Sequence, residues 1–253
     1  MEKNTIAAQL YTLRDFLKTP DDILETLKRV KKIGYNAVQV SGMGPIEPLR
    51  LKKITDEIGL KICATHISFE RLKDDIHEVV KEHKLWECEY VGLGSMPQQF
   101  RGSLDGYKEF LAIISGIAES ISQSGLKFIY HDHRFEFEKF NGRTGMDYLL
   151  ENSASRTFGF ELDTYWVQAG GANPVDWIRK VQGRMGVVHF KDMAVKEDRQ
   201  VYAEVGEGNL DWPSIIKACR ETGVKWYAVE QDECFRDPFE SLEISLKYLQ
   251  KYL

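Results

Sequence analysis

The chain has 253 residues, 43% of them hydrophobic and 29% charged, which points to a folded protein with a sizeable core and excludes a disordered one. A net charge of -5 disfavours nucleic acid as the main partner, because a duplex-binding surface usually makes a domain basic. It leaves room for a small-molecule site that is locally basic.

The opening MEKNTIAAQLYTLRD has no apolar core of signal-peptide type, and no apolar run approaches membrane-spanning length. Cys63, Cys88, Cys219 and Cys234 are scattered and form no CxxC pair, so they read as reduced thiols of a cytoplasmic protein.

A strand-then-helix alternation runs from end to end. IAAQLY (Ile6–Tyr11) is the first strand. TPDDILETLKRVKKIG (Thr19–Gly34) carries a Thr cap, Pro at the first helical position, early acids, late lysines and a stopping Gly. NAVQVS (Asn36–Ser41) is the second strand, with a helix near Pro48–Gly59. KICATH (Lys61–His66) is the third, and the polar run Arg71–Leu85 supplies its helix. EYVGLG (Glu89–Gly94) is the fourth, before a long helix over Leu104–Ser124. His77 and His83, in the charged helix, are expected to face solvent.

LKFIYHDH (Leu126–His133) is the fifth strand, followed by a loop to Gly145 and a helix over Met146–Glu151. FGFELD (Phe158–Asp163) is the sixth, with a helix starting at Pro174. GVVHFKD (Gly186–Asp192) is the seventh, followed by a long loop from Met193 to Leu210 and a helix over Asp211–Gly223. KWYAVEQD (Lys225–Asp232) is the eighth, and Asp237–Leu253 closes as an amphipathic helix. Eight such units in one chain predict an α/β fold, a single (β/α)8 TIM barrel spanning residues 1–253. A Gly-rich phosphate loop of the kind open nucleotide-binding sheets carry follows none of the strands.

Four strands finish in ligand-type residues, and in a barrel all strand ends open onto one face. His131, His133, Glu161, Asp163, His189 and Glu230 are therefore expected to converge. Histidine and carboxylate together suit one divalent ion, Mn2+, Mg2+, Co2+ or Zn2+. Such an ion polarises a carbonyl that it chelates with the adjacent hydroxyl, and a carboxylate beside it can take the neighbouring C–H proton and return it elsewhere. Glu230 is the leading base, with Glu136, Glu161 and Glu207 in reserve as the second acid/base. Glu161 lies two residues before Asp163 on one strand face, so it points inward one layer deeper, where orienting a ligand is the simpler role. Glu207 sits in a GEG segment suited to a lid. Gln9, Arg14, His66, His133, Lys191 and Glu136 are the candidate substrate contacts, with Phe69, Tyr165, Trp166 and Trp212 as an apolar wall.

The segments HDHRFEF, ELDTYW, VVHFKD, VGEGNLDW and VEQD, with QLYTLRD near the start, resemble the sugar phosphate isomerase/epimerase family of xylose isomerase-like barrels, which also contains inosose dehydratases. The resemblance covers essentially the whole chain. It implies one divalent metal ion held by Glu, Asp, His and Glu from four late strands. Asp163, His189 and Glu230 match that set directly, while His131 stands where relatives carry the first Glu. The resemblance further implies a keto-sugar substrate, phosphorylated or not, an enediolate intermediate, no nucleic-acid or membrane partner, and a homodimer as relatives often form. Replacement of a glutamate by His131 disfavours a symmetric two-glutamate epimerisation. A metal-dependent lyase of the inosose dehydratase type is therefore the alternative.

Overall fold

A computed structural model describes residues 6–253. The opening residues 1–5, the start of the stretch read above as lacking a signal peptide, lie outside the described residues.

The strands are β1 (Ile6–Gln9), β2 (Ala37–Val40), β3 (Lys61–Ile67), β4 (Tyr90–Leu93), β5 (Lys127–His131), β6 (Lys139–Phe140), β7 (Arg143–Thr144), β8 (Phe158–Glu161), β9 (Val187–Phe190), β10 (Asp192–Lys196), β11 (Arg199–Ala203) and β12 (Trp226–Val229). Eight of them form one parallel sheet in the order β8-β5-β4-β3-β2-β1-β12-β9. The seam between β8 and β9 closes by a parallel bridge of Asp163 with His189, where the His189 N–H donates to Leu162 O at 2.8 Å. The result is the expected (β/α)8 barrel, nearly closed on itself.

The helices are α1 (Pro20–Ile33), α2 (Pro48–Ile58), α3 (Phe69–Asp74), α4 (Ile76–Leu85), α5 (Leu104–Gln123), α6 (Gly145–Asn152), α7 (Thr164–Ala169), α8 (Pro174–Lys180), α9 (Trp212–Thr222) and α10 (Pro238–Leu249). Their starts follow the local chemistry. In α1, Thr19 and Asp22 form a reciprocal capping box, and Pro20 opens the first turn. None of the described helices is long and apolar enough to cross a membrane.

Four local expectations need correction. The Met193–Leu210 segment is not a plain loop: β10 and β11 pair antiparallel as a hairpin. The Arg71–Leu85 run is two helices, α3 and α4, broken at Asp75. A short helix, α7, precedes the one at Pro174, because the Asp163 carboxylate caps it through the Tyr165 and Trp166 N–H groups. His83 is fully buried rather than solvent-facing, bonded to the Thr65 hydroxyl at 2.7 Å and to Val79 O at 2.7 Å.

Side chains alternate in and out of the barrel along each strand. Inside, a compact cluster of Ala7, Ala37, Ala64, Ile129, Val187, Ala228 and their neighbours fills the end where the strands begin. The larger apolar cluster packs the helices onto the outer face. The inward positions two residues further along β2, β3, β5, β9 and β12 or its C-terminal extension are Gln39, His66, His131, His189 and Glu230. This second layer builds the site.

Candidate metal and substrate site

Ligand atoms of His131, Asp163, His189 and Glu230 all lie within 4.8 Å of one another, and all four residues are buried. A second group of His66, Glu161 and His189 meets the same limit. The convergence follows from register: β5 pairs His131 with Glu161 of β8, and β12 aligns with β9 so that Ala228 faces His189.

Each side chain has a definite partner set. His189 Nδ1 lies 3.0 Å from Glu230 Oε2, and its Nε2 lies 2.8 Å from Gln39 Oε1. Glu161 accepts from Gln39 Nε2 at 2.8 Å and meets His66 Nε2 at 2.6 Å, so both its oxygens are engaged by side chains of the same inward layer. Lys191 is wholly buried, and its Nζ lies 2.8 Å from Asp163, 2.8 Å from Glu230 and 2.6 Å from Asp232.

Burial pushes the Glu230 carboxyl up, but Lys191 and His189 beside it outweigh that and hold it well below the usual carboxylate range. Burial lowers the His189 imidazole, yet Glu161 and Glu230 raise it to about 10. For His131 the same two carboxylates are outweighed. Burial, followed by the charges on His189 and His66, pushes it well below the usual histidine range and leaves it a neutral imidazole.

These residues fit a divalent ion. His131 is buried with no hydrogen-bond partner at either ring nitrogen. Asp163 Oδ2, although 2.8 Å from Lys191 Nζ, receives no aligned hydrogen bond. Buried polar atoms are normally satisfied, and a neutral imidazole facing a carboxylate is a donor pair that a cation completes. Four carboxylates, Glu161, Asp163, Glu230 and Asp232, also outnumber one ammonium and one imidazolium, so a positive charge would be accommodated.

Above the cluster opens a cavity of about 460 Å3. His66, His131, His133, Lys191, Glu230 and Asp232 line its polar side, and Tyr11, Phe69 and Trp166 supply aromatic faces. His133 stacks on Phe135 and packs near Trp166.

Other sequence candidates stand apart. Gln9 accepts from the Tyr11 N–H and Arg14 lies over the Tyr11 ring; neither lines the cavity. Glu136 is buried beneath the wall, accepting from the Tyr130 hydroxyl and the His133 N–H. Glu207 is exposed and pairs with Arg236 at 3.2 Å. Of the proposed apolar wall, Tyr165 packs on Tyr202 and Trp212 on Phe190, away from the cavity. Asp192, grouped with His189 and Lys191 by sequence, turns away and accepts from Met193, Gly206, Gly208 and Leu210 N–H and from Trp212 Nε1. Gly208 allows this closure, because a Cβ there would strike the Asp192 carboxylate. Asp232 and Gln39 were not singled out from sequence. The alternation that marks Glu230 and Ala37 as inward marks each of them two residues later, and that signal was available.

Fold and donor set together define a (β/α)8 barrel with a metal-site-like group at the carboxyl mouth of its strands. Residues 27–252 match the sequence profile of the xylose isomerase-like TIM barrel family, and the chain belongs to that family. The fold is similar to that of a sugar phosphate isomerase/epimerase from Parabacteroides distasonis, with a TM-score of 0.81 at 24% identity over 98% of this chain and 94% of that one. An L-ribulose 3-epimerase superposes at 0.75 with 16% identity, covering 98% and 93% of the two chains. The probable 3-DHS dehydratase AsbF of petrobactin synthesis from Bacillus anthracis superposes at 0.74 with 14% identity, over 98% and 100%. No curated protein sequence matches this one.

Proposed function

We propose that the protein is a divalent-metal-dependent isomerase or epimerase of a keto-sugar that works by removing a proton next to a carbonyl. The observation that carries the reading is the meeting of His131, Asp163, His189 and Glu230, two of which, His131 and Glu230, line one cavity. Those four residues would hold the ion, which when bound polarises the substrate carbonyl. Both structural neighbours named as epimerases share the barrel, which supports the class of chemistry.

Glu230 is the base. It is a carboxylate held ionised by Lys191 and His189, and it faces the cavity. Lys191, locked between three carboxylates, fixes the position of Glu230 and holds it ionised. His66 lines the cavity with Glu161 behind it, so the second proton-transfer role falls to this pair rather than to Glu161 alone. The aromatic faces of Trp166 and Phe69 suit the apolar side of a sugar.

One observation favours a lyase as the second reading. The two proton-transfer groups differ in kind, a carboxylate held ionised by Lys191 and His189 and a carboxylate-backed imidazole, and elimination requires a base and an acid acting on different atoms. The AsbF neighbour, named a probable dehydratase, shows that the barrel hosts such an activity in name.

The test is deuterium uptake from heavy water by a panel of keto-sugars and inososes, with divalent metal and with chelator. Metal-dependent exchange with retention of mass balance supports the isomerase, and release of an unsaturated product supports the lyase. Exchange that ignores the metal defeats both. Glu230→Gln is expected to lower exchange about 10³-fold with an unchanged circular dichroism spectrum.

A further inference from the structure

Barrels of this kind commonly hold a phosphate at the loops after the last two barrel strands, on free backbone N–H groups and a helix N-terminus. This chain carries such a ring of donors after β9, but the ring is closed. Asp192 collects the N–H groups of Gly206, Gly208 and Leu210 at 2.9, 3.0 and 3.2 Å, and Trp212 Nε1 at 2.5 Å. A carboxylate of the chain itself occupies the place of an anionic ligand. After the last barrel strand, the first N–H groups of α10 are closed by Asp237, as those of α7 after β8 are by Asp163.

Lys191 is engaged in the same way, whereas Arg101 is held by neutral acceptors only. Lys191 Nζ is within 2.8 Å of three carboxylates and has no exposed surface. Arg101, the other Lys or Arg lining the cavity, sits at the exposed rim, donates to Met96 O and Ser95 Oγ, and lies over the Phe135 ring. Against these stand the lining carboxylates Glu70, Glu230 and Asp232. The remaining polar groups are neutral hydroxyls and imidazoles such as Ser41, Ser95 and His133, which match sugar hydroxyls.

We propose that the site takes an uncharged keto-sugar and rejects its phosphate esters, because the loop N–H groups and Lys191 are already closed on the chain's own carboxylates, and Arg101 at the rim is turned onto Met96 O and Ser95 Oγ. This deepens the keto-sugar reading above and rests on it. A dianionic ester entering the cavity would meet carboxylates and displace none of the internal pairs without leaving another charge buried and unpaired.

The experiment measures binding and deuterium exchange side by side, on the metal-loaded protein, for ketoses paired with their terminal phosphates. Titration calorimetry gives the affinity and mass spectrometry the exchange. We expect each uncharged sugar to bind roughly 30-fold or more tightly than its phosphate. Equal or tighter binding of the phosphates overturns the inference, as does failure of every sugar to bind. Selective binding of the uncharged sugars without exchange upholds the inference and removes the proton-transfer reading instead.

Discussion

The inside of the barrel has two layers built from the same strands and the same alternating face. Where the strands begin, Ala37, Ala64, Ile129, Val187 and Ala228 pack against one another and carry no charge. Two residues on, the same strands present Gln39, His66, His131, His189 and Glu230, every one joined to or aimed at another ionisable group. The upper layer borders the cavity through His66, His131 and Glu230, yet Gln39 and His189 in it are as fully buried as the alanines below, so exposure alone does not explain the difference. Ionisable groups persist in the upper layer because they are paired with one another, with an excess of carboxylate where a cation would sit. The lower layer holds the barrel together with apolar contacts that need no partner. Chemistry and stability are thus separated by a single step of two residues.

The strongest way to break this comparison is to remove the charge that balances the upper layer. Lys191→Met leaves Asp163, Glu230 and Asp232 without their shared ammonium, and is expected to cost about 3–5 kcal/mol in urea unfolding. Added divalent metal should recover part of that loss, since it replaces a positive charge at the same carboxylates. A loss of the same size that metal does not touch would count against the cation site.

A second test uses adjacent residues of β3. His66 points inward to Glu161, while Thr65 bonds outward to His83. Burial lowers the His83 pKa to about 4, whereas the unfolded chain takes up the proton near the ordinary value of 6.5. Stability from this group is therefore complete above pH 6.5 and declines as pH falls from 6.5 towards 4, by about 3 kcal/mol in all. His83→Gln should flatten that part of the acid limb of a stability-against-pH curve and leave sugar binding unchanged.

Asp192 tests whether the loop after β9 is a built element. Asp192→Asn keeps the shape but loses the charge that gathers five donors, and about 2 kcal/mol of local stability should go with it. Amide exchange at Gly206, Gly208 and Leu210 is expected to speed up before any global change. The smallest effect belongs to the lower layer. Ile129→Val should cost about 1 kcal/mol in thermal unfolding and leave metal affinity as it was. A change in metal affinity would show that the two layers are not independent.

Much of this was legible in the chain. The eight βα units, the caps of α1 and α9, and the ligand-type endings of β5, β8, β9 and β12 all rest on local patterns, and local patterns survive folding. The convergence of His131, Asp163, His189 and Glu230 followed from barrel geometry once eight units were counted. The pairing within β10 and β11 was not legible, because that hairpin turns on Glu197 and Asp198 in left-handed backbone with no glycine to signal it. The burial of His83 was in fact signalled, since Ile76, Val79 and His83 share one face of their helix, but its partner Thr65, 18 residues away on β3, was not.

Sequence by itself determined which residue types stand at the strand ends and which face of each strand they share, because both depend on spacing along one chain. Only the tertiary structure decided what those residues are paired with. Asp192 and Lys191 are neighbours in sequence, yet one closes a loop of N–H groups and the other fills a ring of carboxylates. Adjacent residues of an extended strand point to opposite faces, and the partners waiting there come from segments that spacing along the chain does not identify.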